Sequence, residues 1–209
     1  MKMKIFIGMT ISPKIQKLNY EDDVFGSSNI IILDDCFNYN EINLIYMMCM
    51  KRSYYLGNQS RQDVQNNPQD RLVSELTDDD IVLSGLLDER RRNIFSPFLD
   101  MSSNIQSAYV NLGIKSDIYN IHMDYMGRKQ NHVPKTFLYY ANIEWKSNWG
   151  GSTLLYNSSG EDIVKAIEFK PGRVAIFDSR IPHMATPATG IGPAYRFTIA
   201  FKFIGTTNV

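Results

Sequence analysis

The sequence predicts a mainly β chain, a jelly roll or barrel with helices packed on one face, and three observations carry that expectation. From Gln106 onward, β-branched and aromatic residues alternate in short segments separated by Gly, Asn, Pro and Ser clusters. Before Asn104, apolar positions follow helical spacing in two stretches instead. The chain has 209 residues, of which 44% are apolar and 12% aromatic, enough for one packed core. One domain over residues 1–209 is therefore expected, with a helical support over about 1–104 and a strand-rich core over about 105–204.

The elements follow in order. In Met1–Ile11 the apolar stretch is short, is interrupted by Gly8 and Thr10, and has no small-residue cleavage site after it, so it is not read as a secretory signal. Ile30-Ile31-Ile32-Leu33 reads as a buried strand ended by Asp34-Asp35. Asn38 or Asn40 can cap a helix that begins near Glu41, carries Ile42, Ile45, Tyr46 and Cys49 on one face, and stops before Gly57. Asn58–Arg71 is polar, with Asn66-Asn67-Pro68 at its middle, and reads as a mobile loop placed to act as a lid. The carboxylates Asp78–Asp80 suit a helix N-terminus, and Leu83, Leu86, Leu87, Arg90 and Ile94 continue that helix toward Ser96-Pro97. Arg90-Arg91-Arg92 reads as a solvated helix face rather than a phosphate site.

Seven segments then read as strands: Gln106–Leu112, Ile118–Met123, Thr136–Ile143, Ser152–Tyr156, Ala166–Phe169, Arg173–Phe177 and Tyr195–Phe203. The last has the clearest alternation. Tyr195, Phe197, Ile199, Phe201 and Phe203 share one face; Arg196, Thr198, Ala200 and Lys202 share the other.

Composition excludes several classes. Twenty-two basic residues balance 22 acidic ones, so no basic surplus supports general nucleic-acid binding. Two cysteines, Cys36 and Cys49, are too few for a disulfide framework or a zinc ribbon, which suits a reducing compartment such as the cytoplasm. No apolar run approaches the roughly 20 residues of a membrane span.

The chemistry-bearing residues are the three histidines, His122, His132 and His183. His122-Met123-Asp124 sets an imidazole and a carboxylate two positions apart, on one face of a strand, and His183 follows directly after Pro182. Two histidines and one carboxylate on one face of a metal form the facial triad of non-haem iron(II) oxygenases, which leaves positions open for a cosubstrate and O2. With 15 aspartates in the chain, His-x-Asp alone is a weak signal, and a hydrogen-bonded histidine in the core or a loop is the competing reading. Arg196 adds to it. If its strand face lines the barrel interior, a guanidinium there needs an anionic partner, and its planar fork matches a carboxylate. Gly150-Gly151-Ser152-Thr153 permits a tight turn or close backbone approach.

In order along the chain stand Tyr119-Asn120-Ile121-His122-Met123-Asp124, Leu138-Tyr139-Tyr140-Ala141-Asn142 with Trp145, and Gly150-Gly151-Ser152-Thr153. Phe169-Lys170-Pro171-Gly172-Arg173-Val174-Ala175-Ile176-Phe177, Pro182-His183 and Arg196-Phe197-Thr198 follow. Taken together, Tyr119 to Phe203 resembles the catalytic half of iron(II)/2-oxoglutarate-dependent dioxygenases, in the prolyl 4-hydroxylase-like branch. Upstream, Ile30–Leu33 and the helix after it resemble the lead-in strand and helix of that family.

The resemblance implies a double-stranded β-helix, cupin-like, with N-terminal helices on one sheet. It implies Fe(II) at His122, Asp124 and His183, and 2-oxoglutarate anchored by Arg196 with Thr198 beside it. A tyrosine of that family often completes the anchor; the match falls on Tyr140, with Tyr139 adjacent, and strand register decides between them. Tyr109 or Tyr119 would approach the other end of the cosubstrate. Collagen-type members carry Lys at the anchor, whereas Arg196 matches oxygen-sensing and several bacterial members. The implied reaction consumes O2, releases succinate and CO2, draws on ascorbate as a helper, and hydroxylates a substrate. A prolyl residue in a peptide or protein is the first expectation, with Trp145, Trp149 or Arg180 lining the mouth. The alternatives are a free amino acid, a small metabolite or a nucleobase, and, in another class, an inactive barrel that acts as a binding module.

Overall fold

The computed structural model describes residues 12–24, 26–57, 71–115, 117, 119–125 and 133–204. Among them, eight strands form one antiparallel sheet and three form a smaller one. The strands are β1 (Lys14–Asp22), β2 (Gly26–Asp34), β3 (Tyr55–Gly57), β4 (Arg71–Glu75), β5 (Asn104–Ile114), β6 (Lys135–Tyr140), β7 (Thr153–Tyr156), β8 (Ile163–Ile167), β9 (Val174–Asp178), β10 (His183–Ala185) and β11 (Tyr195–Ile204). The large sheet runs β1-β2-β9-β6-β11-β5-β4-β3 and the small one β10-β7-β8. This is a double-stranded β-helix with helices against the outer face of the large sheet.

Two apolar layers follow from the alternation. Outward from the large sheet, Ile31, Leu33, Phe137, Tyr139, Ile176, Phe197, Ile199 and Phe201 pack against Ile45, Cys49, Leu86, Leu87 and Phe95 of the helical segments. Inward, Ile32, Leu138, Tyr140, Ala175, Phe177 and Ala200 face Leu155 and Ile167 of the small sheet. Tyr139 and Tyr140 therefore lie on opposite sides of the sheet, and Tyr140 is the interior one.

Helix α1 (Tyr39–Met50) starts at a capping box, in which Asn38 Oδ1 accepts from the Glu41 amide at 3.0 Å and Glu41 accepts from the Asn38 amide at 2.8 Å. The expected long helix after Asp78 is instead two short ones, α2 (Asp78–Ser84) and α3 (Glu89–Phe95). Gly85 takes a left-handed φ of 64° and closes α2, and Asp88 caps α3 three residues later. The break sends Leu86 and Leu87 into the core. The arginine cluster is not a solvated face throughout: Arg91 is buried, pairs with Glu41 at 2.6 Å and with Asp88, and stacks over Phe37. A short helix pressed onto the sheet buries one face, here Arg91 and Phe95.

The N-terminal half is also not purely helical. β1 pairs with β2 from Lys14↔Asp34 to Asp22↔Gly26, and β3 and β4 form a second antiparallel pair. These four strands extend both flanks of the large sheet. β1 is an edge strand with Tyr20 as its one buried residue, so its sequence lacks the apolar alternation that marks an interior strand. Ile118–Met123 is expected as a strand; its described residues, 119–123, hold a single bridge, His122↔His183. The expected lid falls at residues 58–70, outside the described residues, and Arg71 opens β4.

A charged clamp fixes β2 beside β9. Asp34 accepts from Arg173 Nε at 2.8 Å and Nη2 at 2.9 Å, and from Lys170 Nζ at 3.0 Å. Burial pushes the Asp34 carboxyl up, but Arg173 and Lys170 outweigh it and hold it below the usual carboxylate range. Because the folded value is the lower one, the stabilisation is complete above the ordinary carboxylate pKa and is lost as pH falls through the depressed value. Asp34→Asn is expected to destabilise the fold by about 1–3 kcal/mol at neutral pH, with the deficit shrinking in acid. Urea denaturation across pH checks both, and an equal deficit at pH 3 and pH 7 would contradict the clamp.

Candidate active site

His122 and His183 are joined by their backbones. The His122 amide donates to the His183 carbonyl at 3.0 Å, and the His183 amide donates back at 2.8 Å. Two residues on, the Asp124 amide donates to the Ser179 carbonyl at 2.9 Å, so the segment is held on the barrel without a full ladder. Pro182 limits the backbone just before β10. The donor atoms of His122, Asp124 and His183 all lie within 4.8 Å of one another. His122 Nε2 is 3.8 Å and His183 Nε2 is 3.5 Å from the Asp124 carboxylate.

The donor set suits a divalent cation such as Fe(II). Each imidazole turns Nδ1 to a carbonyl, of Asn120 at 3.2 Å for His122 and of Ile181 at 2.8 Å for His183. A carbonyl only accepts, so Nδ1 carries the hydrogen and Nε2 is the basic nitrogen facing Asp124. The Asp124 side chain is 3% exposed. Burial pushes its carboxyl up, but the Lys202 ammonium leads the interactions that outweigh burial and keep it well below the usual range. Thr136 Oγ1 donates to Asp124 Oδ2 at 2.8 Å, and Lys202 Nζ lies 3.1 Å from Oδ1.

The triad opens into a pocket lined by Tyr109, Asn111, Tyr119, Thr153, Arg196 and Thr198 among others. Arg196 is buried, lies on the interior face of β11, donates from Nε to the Gly151 carbonyl at 2.9 Å, and sits over the Phe169 ring at 5.2 Å. Gly151 has a φ of +76°, and a Cβ there would stand 2.9 Å from Trp145 and 3.2 Å from Arg196 Nε. The glycine pair thus permits the close approach of backbone to guanidinium. Thr198 pairs with Tyr140 across β11 and β6, and the Tyr140 hydroxyl donates to Thr153 Oγ1 at 2.8 Å.

Residues 108–203 match the family model of the 2OG-Fe(II) oxygenase superfamily. The matched segment, the strand-rich half of the chain, is similar to the 2OG-Fe(II) oxygenase superfamily. That similarity, together with the His122, Asp124 and His183 cluster, supports a 2-oxoglutarate-dependent non-haem iron dioxygenase. No curated protein sequence matches it. Similar solved structures include a prolyl-4-hydroxylase from Pseudomonas putida, with a TM-score of 0.62 and 13% identity over 85% of this chain and 93% of that one. A prolyl hydroxylase from Trichoplax adhaerens, in complex with a hypoxia inducible factor peptide fragment, gives 0.57 and 20% over 94% and 84%. HygX from Streptomyces hygroscopicus, with nickel and 2-oxoglutarate bound, gives 0.59 and 10% over 86% and 83%.

Within this superfamily fold the structure brings His122, Asp124, His183, Tyr109, Tyr119, Arg196 and Thr198 to one pocket, with Tyr140 one hydrogen bond behind it through Thr153. Trp145 does not line that pocket. It is buried, donates to the Gly150 carbonyl at 2.9 Å and packs on Phe169, beneath the Gly151 turn. Arg180 instead pairs with Asp178 and lines a separate groove with Lys17, Phe98 and Lys135. Trp149 stands beside Trp145 at 6.0 Å between ring centres, and Lys146 Nζ lies over its ring at 5.1 Å. His132 lies outside the described residues. Sequence reasoning missed Thr136 and Lys202. The alternation of β11 already set Lys202 on the interior face beside Arg196, and a lysine on an interior face demands an anion; Thr136 carried no comparable signal.

His122→Ala, His183→Ala and Asp124→Asn are each expected to abolish binding of Co(II) as a spectroscopic substitute metal, while circular dichroism stays that of the parent chain. Undiminished Co(II) binding by the Asp124→Asn protein would remove this carboxylate from the site.

Proposed function

We propose that this dioxygenase hydroxylates a prolyl residue in a peptide or protein, with His122, Asp124 and His183 as the metal ligands and Arg196 as the cosubstrate anchor. The observation that carries the reading is the convergence of two imidazoles, a buried carboxylate and a buried guanidinium on one pocket inside the barrel. When bound, Fe(II) and 2-oxoglutarate supply the oxidising power from O2, and the cosubstrate leaves as succinate and CO2. The chain's own residues bind, orient and exclude water. Nδ1–carbonyl hydrogen bonds fix both imidazoles, so little reorientation is needed to bind the cation. Arg196 presents a planar fork to the far carboxylate of 2-oxoglutarate, with Thr198 beside it and Tyr140 behind Thr153. Tyr109 and Tyr119 border the pocket where the remaining end of the cosubstrate would lie.

Prolyl hydroxylation is supported by the fold likeness to the Pseudomonas and Trichoplax enzymes. An inactive barrel is disfavoured, because both imidazoles, the carboxylate and the guanidinium are all present and buried or nearly so. The reading extends to one domain over residues 1–209, since β1–β4 share a sheet with β5, β6, β9 and β11. It also extends to a reducing, cytoplasmic setting. Cys36 and Cys49 are free and buried, with burial pushing both thiols up to about 12, and no helix among the described residues is long and apolar enough to cross a membrane.

Arg196→Ala is expected to weaken 2-oxoglutarate binding at least about tenfold, and Arg196→Lys by less, because lysine keeps the charge and loses the fork. Calorimetric titration of the metal-loaded protein checks this, and unchanged affinity in Arg196→Ala would overturn the anchor. For the substrate, a peptide library incubated with Fe(II), ascorbate and 2-oxoglutarate should gain one oxygen on proline by tandem mass spectrometry. Succinate formation stimulated by a free amino acid, metabolite or nucleobase but by no peptide would refute the prolyl assignment.

A further inference from the structure

Lys202 is a buried cation that the proposed reaction does not use. It sits six residues along β11 from Arg196, on the same interior face, and is 5% exposed. Its ammonium lies 3.1 Å from Asp124 Oδ1 and 5.3 Å from the centre of the Tyr109 ring. It is not among the residues that line the pocket holding Arg196 and the triad. Thr136 takes the other carboxylate oxygen, so each oxygen of Asp124 has a protein partner.

We infer that Lys202 is a positioning residue that serves as the resident counter-ion of Asp124: it keeps the metal-free site folded and sets the affinity for a divalent cation low enough for exchange. This inference rests on the triad reading above. A carboxylate this deeply buried costs folding stability unless it is paired, and Lys202 supplies the pairing before any metal arrives. Once a dication binds, it and the ammonium share one carboxylate and repel each other across it. Both effects have one sign: the lysine favours the metal-free protein over the loaded one. Arg196 cannot do this, since it lies at the other end of the strand face and is held on Gly151.

The experiment compares Lys202→Met, Lys202→Gln and Lys202→Arg in the full chain, by thermal unfolding without metal and by Mn(II) titration followed by the loss of its free-ion magnetic resonance signal. Loss of the charge should lower the metal-free Tm and tighten Mn(II) binding at least about tenfold, and Lys202→Arg should stay near the parent in both. The double variant Asp124→Asn/Lys202→Met should regain metal-free stability lost in Lys202→Met, because no unpaired charge then remains. If Lys202→Met does not fold, Lys202→Gln, which retains a donor without a charge, decides the affinity. Unchanged or weaker Mn(II) binding in the uncharged variants overturns the inference while leaving the triad standing. Failure of the parent chain to bind Mn(II) at all would instead overturn the triad reading.

Discussion

The carboxylate of Asp124 is a negative charge inside a β-barrel, and the surrounding structure is built to hold it. Solvent contributes little to a side chain that is 3% exposed, so neighbours must supply what water would. Lys202 from β11 and Thr136 from β6 do so, one at each carboxylate oxygen, beside the imidazoles of His122 and His183. Such a cluster forms only if β11 and β6 are adjacent and their interior registers agree. The pairing of Lys202 with Thr136 across the two strands meets that requirement. The charge and the topology therefore depend on each other.

The same strand serves two jobs along one face. Arg196, Thr198, Ala200 and Lys202 alternate with Phe197, Ile199, Phe201 and Phe203, and the apolar set is the floor on which the helical segments rest. A one-residue slip of β11 would put two cations into the helix-packed core and four apolar side chains into the polar interior. Phe137 and Tyr139 of β6 reinforce the register by packing on that outer side. The apolar core thus secures the placement of polar chemistry on the opposite face, with no contact between the two layers required.

Legibility in the sequence followed burial. β11 was readable almost residue by residue, because one face is apolar and the other is not. Arg196, His122, Asp124 and His183 were found by residue type and spacing, and their collinearity with a known family sharpened the reading. β1 was not readable, since an edge strand with Lys14, Gln16 and Lys17 facing solvent carries no apolar alternation. The division into α2 and α3 turned on the single residue Gly85, whose left-handed conformation overrides a helical apolar spacing that continues past it. The strand expected over Ile118–Met123 failed for another reason: among its described residues, 119–123, the β-like composition serves one bridge between the two histidines. Lys202 was placed on the correct face, but a lysine is so commonly a surface residue that its partner could be named only once Asp124 was seen beside it.

The central claim is that the triad and Arg196 form one site that holds metal and cosubstrate together. Anaerobic absorption spectroscopy tests it most directly, with Fe(II) added to the protein first and 2-oxoglutarate second. The account predicts that a weak visible metal-to-ligand charge-transfer band appears only when both are present and saturates at one equivalent of iron. Absence of the band at saturating iron and 2-oxoglutarate, in folded protein, would contradict it.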